Sequence, residues 1–142
     1  TYGGTLGDFR LGAVAGYFWD RFDREVLSGS DSVIHEPTGI NLSFASAELD
    51  TGTRKADYWW TKIGLRRGFF DFGDTALSAD YYSGRNMTRN GAESDSIGLA
   101  LVQTIDNAIT ELWLTWRQYD YDDPTASFED GRAIYGGFRF GF

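Results

Sequence analysis

Eight charged side chains hold the chemistry this sequence offers: Arg10, Lys62, Arg66, Arg117 and Arg139 against Asp20, Asp80 and Glu111. Within their segments they alternate with large apolar residues, so a strand would turn all eight to one face. Five bases against three acids give that face a positive lean, although the whole chain carries a formal charge of -8. Lining a wide aqueous passage, such a row orders water and selects solutes by charge and dipole. Inside a narrow closed barrel the same charges would pair across a packed interior, since a buried charge needs a partner. The residues alone are compatible with both.

Catalytic chemistry has little to build on. The sole histidine, His35, stands beside the turn sequence Pro37-Thr38-Gly39, with Ser32 and Glu36 a few residues away. Adjacency in sequence is not the convergent geometry that nucleophilic or acid-base catalysis requires. Asp80 and Glu111 are carboxylates of one face, an arrangement that ion pairing explains as well as proton transfer does. The expectation is a protein that is not an enzyme, with no catalytic residue and His35 at a turn.

The elements that must position these charges are strands. Read with a period of two, the last eleven residues put Ile134, Gly136, Phe138, Phe140 and Phe142 on one face, and Ala133, Tyr135, Gly137, Arg139 and Gly141 on the other. Upstream, the same pattern gives strands at Phe9–Phe22, Ser32–Glu36, Ile40–Leu49, Tyr58–Phe69, Thr75–Met87, Ser96–Thr104 and Ile109–Tyr121, eight in all, with Ser32–Glu36 too short for its faces to be assigned. Short turns at Pro37–Gly39, Asp71–Asp74 and Ile105–Ala108 alternate with longer acidic connections at Asp23–Asp31, Asp50–Asp57, Thr88–Asp95 and Asp122–Gly131. Bulky residues on one face, small or charged ones on the other, and aromatics such as Trp19, Tyr58, Trp59, Tyr81, Trp116 and Tyr119 gathered near strand ends make the repeat of a transmembrane β-barrel. The expected fold is therefore all-β: one domain, an antiparallel up-and-down transmembrane barrel with eight strands in this chain.

Composition agrees. The 142 residues include 18 Gly, 2 Pro, no Cys and 17% aromatics, and the longest apolar runs are too short for a membrane-crossing helix. Without cysteine there is neither a disulfide framework nor a thiolate metal site. The acidic balance argues against nucleic acid, whose phosphates demand excess Lys and Arg. Acids at Glu93, Asp95, Asp120, Asp122, Asp123, Glu129 and Asp130 offer oxygen ligands suited to Ca²⁺ or Mg²⁺ bridging to anionic lipopolysaccharide. Their spacing matches no metal-loop motif, and no cofactor is otherwise expected.

Four segments resemble the C-terminal part of the Gram-negative porins, in particular a divergent alphaproteobacterial group: Ser32–Phe44, Gly73–Tyr82, Val102–Asp106 with Thr110–Trp113, and the terminal Phe142. The resemblance spans most of the chain. It implies a water-filled outer-membrane barrel, often of sixteen strands and often trimeric, through which small hydrophilic solutes and ions diffuse passively between lipid-facing walls. It also implies that Phe142 is the signal read by the barrel-assembly machinery. Sixteen strands need roughly twice this length, so the chain is either half of such a barrel or a small eight-stranded barrel serving as an anchor or adhesion scaffold.

Overall fold

A computed structural model describes residues 1–22, 24–106 and 110–141. Nine strands follow one another: β1 (Tyr2–Leu6), β2 (Phe9–Trp19), β3 (Glu25–His35), β4 (Ile40–Asp50), β5 (Lys55–Phe70), β6 (Gly73–Arg85), β7 (Glu93–Ile105), β8 (Thr110–Asp122) and β9 (Gly131–Phe140). Each pairs antiparallel with its sequence neighbours to give a single up-and-down sheet in the order β1 to β9. The sheet is unclosed, and β1 and β9 are its two edges.

The structure departs from the expected strands twice in the N-terminal quarter: β1 raises the count from eight to nine, and β3 is longer than the expected Ser32–Glu36. Tyr2-Gly-Gly-Thr-Leu6 carries two glycines, which weaken strand propensity, yet it pairs with Phe9–Ala13 through a tight turn in which Gly7 takes φ +57°. The expected loop Asp23–Asp31 is mostly strand: Ser28-Gly29-Ser30-Asp31-Ser32 reads like a turn but lies in the middle of β3, laddered to β2 on one side and β4 on the other. Ladders on both edges outweigh a propensity scale that spans only about 1 kcal/mol. Small residues also suit the place, because a Cβ on Gly12 or Gly16 of β2 would come within 3.2 Å of the Ser32 or Ser28 hydroxyl.

Register sorts the side chains into two faces. Leu11, Val33, Leu42, Ile63, Ala79, Leu99, Trp116 and Ile134 form one unbroken row from β2 to β9. The next row toward the short turns holds Ile40, Leu65, Leu77, Leu101 and Leu114. Toward the longer connections this face changes character, and Glu48, Asp57, Arg85, Glu93 and Asp122 align in a single row. The opposite face is made of small residues, charges and rings. Tyr58 and Tyr119, expected among the aromatics near strand ends, lie on this second face, paired with Gly84 and with Ser96. Trp116 sits mid-row beside Leu99 rather than at a rim.

Among the described residues no layer packs on either face and there is no core in the usual sense: Ala56 and Ala92 are the only buried apolar residues among them. Ile63, Leu99, Leu114 and Ile134 stay 50–73% exposed. A contiguous apolar surface of this kind in a soluble protein marks an interaction face or an aggregation hazard. At the rim of the longer connections the chain is tied by polar contacts instead. Arg54 Nη1 donates to the Thr88 carbonyl, Asn86 Nδ2 to the Lys55 carbonyl at 2.9 Å, and Arg89 pairs with Asp123 at 3.0 Å.

Candidate functional site

The polar face centres on β5 to β8, where Lys62, Asp80, Gly98 and Arg117 are successive register partners. Arg117 reaches back over Gly98 and donates from Nη2 to both Asp80 oxygens, at 2.6 and 2.8 Å, while its Nη1 donates to Ser96 Oγ at 3.0 Å. The Trp60 indole N–H makes a third hydrogen bond to Asp80, at Oδ1 and 3.2 Å. Glycine at 98 makes the bridge possible, since a Cβ there would lie 2.5 Å from Asp80 Oδ2 and 2.6 Å from Arg117 Nη2. The Asp80 side chain is only 9% exposed, so its charge depends on these partners rather than on water.

Most of the remaining expected residues pair locally instead of standing as an open row. Arg10 meets Glu36 at 3.1 Å, Arg66 meets Asp74 at 2.9 Å, and Arg139 meets Glu111 at 3.0 Å. These pairs are largely exposed, and each contributes well under about 1 kcal/mol to stability. Lys62 differs. Among the described residues it makes no ion pair, and its Nζ stands 5.7 Å from the centre of the Trp60 ring. Asp80 is opposite Lys62 but is already engaged by Arg117 and Trp60.

Asp20 belongs to the β2–β3 connection, not to a strand. It accepts from Arg24 Nε at 2.7 Å and from the Phe22 backbone N–H at 2.8 Å. The Arg24 hydrogen bond leads the effects that hold its carboxyl below the ordinary 3.8. A depressed folded-state value means that the clasp operates fully above the ordinary value and is lost as pH falls through the lower one. An NMR titration of the Asp20 carboxyl is expected to show a midpoint below 3.8 that moves upward in Arg24→Gln; coincident midpoints in the two proteins would refute the clasp.

His35 ends β3 on the apolar face, with Nδ1 2.7 Å from Thr38 Oγ1 and its ring 4.7 Å from that of Phe9. Ser32 is on the other face, opposite Gly12 and Ser43, so these two do not converge. Of the loop acids, Asp123 is engaged by Arg89 and by Thr125, whereas Asp95 faces Asp120 and Glu93 faces Asp122 directly across β7 and β8. Among the described residues no group of three or more His, Asp or Glu is arranged to hold a metal ion. Phe142 and part of the expected Ile105–Ala108 turn lie outside the described residues.

Alternation sets Ser96 and Gly98 on the polar face without giving them a role, and sequence reasoning missed Trp60 and the partners Glu36 and Asp74. Parity alone placed Trp60 on the face of Lys62, but nothing in the sequence fixes which residues of β6, β7 and β8 stand opposite one another. Glu36 and Asp74 flank short turns, beyond the strand interiors from which the wall was read. No protein-family model, curated protein or solved structure matches the chain, so the likeness to porins rests on the residues that suggested it.

Proposed function

We propose that this chain forms wall of an outer-membrane β-barrel of a Gram-negative bacterium, a porin-type channel for passive diffusion of small hydrophilic solutes and ions. The observation that carries the reading is the exposed apolar face, continuous across the sheet and backed by a face of small and charged residues. Lipid satisfies the first face and water the second, the dyad alternation of membrane barrels. On this reading Arg10, Lys62, Arg66, Asp80, Glu111, Arg117 and Arg139 face the lumen, and Asp20 stands at its mouth. The rim of longer connections, with its acidic row, faces outward toward lipopolysaccharide, and the short-turn rim faces the periplasm. Hydrocarbon tolerates no unpaired strand edge, so on this reading the edges β1 and β9 are paired in the membrane, and the resemblance to porins implies a large, trimeric barrel. Phe142 supplies the assembly signal.

Full-length protein refolded in detergent and added to planar bilayers is expected to give discrete conductance steps. Protein that inserts but never conducts would sink the channel reading and favour a barrel used as an anchor or adhesion scaffold.

A further inference from the structure

The basic wall expected from the sequence is largely cancelled in the structure: Arg10, Arg66, Arg117 and Arg139 each have a carboxylate within 3.1 Å. Lys62 is left as the cation of that set without one. Its neighbours give the spot a shape as well as a charge. Trp60 lies beside it with the indole N–H committed to Asp80, which pins the ring, and Tyr82 stands directly across from Trp60. Tyr58 stacks on Tyr82 with ring centres 5.8 Å apart. Lys62, Trp60, Tyr58 and Tyr82 are all only partly exposed.

From this geometry we infer that Lys62 and the adjoining rings form a solute-binding station on the polar face, selective for small organic anions whose carboxylate or phosphate is joined to a flat ring. The ammonium meets the anionic group, and the ring lies against the aromatic side chains, whose faces favour offset stacking. Arg117 does not compete for the anion because both Asp80 oxygens occupy it. The inference rests on the channel reading above.

Single channels of the full-length protein test it, with reversal potential in a KCl gradient and block by benzoate, acetate and benzylammonium as readouts. Wild-type channels are expected to be blocked by benzoate at lower concentration than by acetate, and not by benzylammonium. Lys62→Gln is expected to lower the anion-to-cation permeability ratio about tenfold, since one unit charge acting through water at roughly 6 Å shifts anion and cation about threefold each in opposite directions, and Lys62→Arg to retain it. Trp60→Leu is expected to lose the preference for benzoate over acetate. Open channels whose reversal potential is the same in Lys62→Gln, or wild-type channels blocked equally by benzoate and acetate, would overturn the station while leaving the channel intact. Absence of conductance from the wild type would overturn both.

Discussion

Gly39→Ala is expected to remove more than about 4 kcal/mol of stability, among the largest effects a single methyl group can have. Gly39 closes the β3–β4 turn with φ +73°, where an L side chain is already strained. Its N–H donates to the His35 carbonyl at 2.9 Å, and its own carbonyl accepts the Arg66 N–H at 3.0 Å, so the turn is pinned to β5. A Cβ would be built 1.8 Å from the Arg66 carbonyl oxygen, a backbone atom that cannot swing aside. Gly52 separates strain from collision: its φ is +75°, but nothing lies within 4 Å of the added carbon. Gly52→Ala should therefore cost only about 1 kcal/mol. Urea unfolding in lipid vesicles, followed by tryptophan fluorescence, compares the two. Equal midpoints would show that the contact of the turn with β5 carries no weight.

The second large effect is at the bridge. Arg117→Leu strips Asp80 Oδ2 of its donor and leaves only the Trp60 N–H on Oδ1. Stranding a carboxylate at 9% exposure is expected to cost about 3 kcal/mol, whereas removing both charges together is close to neutral. Asp80→Asn combined with Arg117→Leu should thus recover more than half of the loss, since the Asn carbonyl still accepts from Trp60. A double-mutant cycle measures this directly. If the double variant is as unstable as the single one, the damage comes from lost packing of the arginine stem, and the charge pair is incidental.

What was legible in the sequence follows from what alternation encodes. Period two told the faces apart in β2 and in β4 to β9, because a one-residue error would turn a whole apolar set over. The same rule was silent for β1 and for the start of β3, where Gly and Ser offer no contrast between faces. Pairing was not legible. That Asp80, Gly98 and Arg117 stand in one row depends on the lengths of two connections, and the cancellation of the basic wall depends on Glu36 and Asp74, residues that flank turns. The proposed function was the least legible, since the binding station we infer turns on which cation of the wall lacks a carboxylate partner, and that follows only from the placed partners.

Nine successive antiparallel strands leave β1 and β9 pointing the same way. Were these two edges to meet, the seam would be parallel, unlike all eight ladders observed here. A ring with only antiparallel seams has an even total, so a barrel of the proposed kind built on this sheet would add an odd number of strands to the nine. Parity thus limits the closed architectures compatible with this sheet.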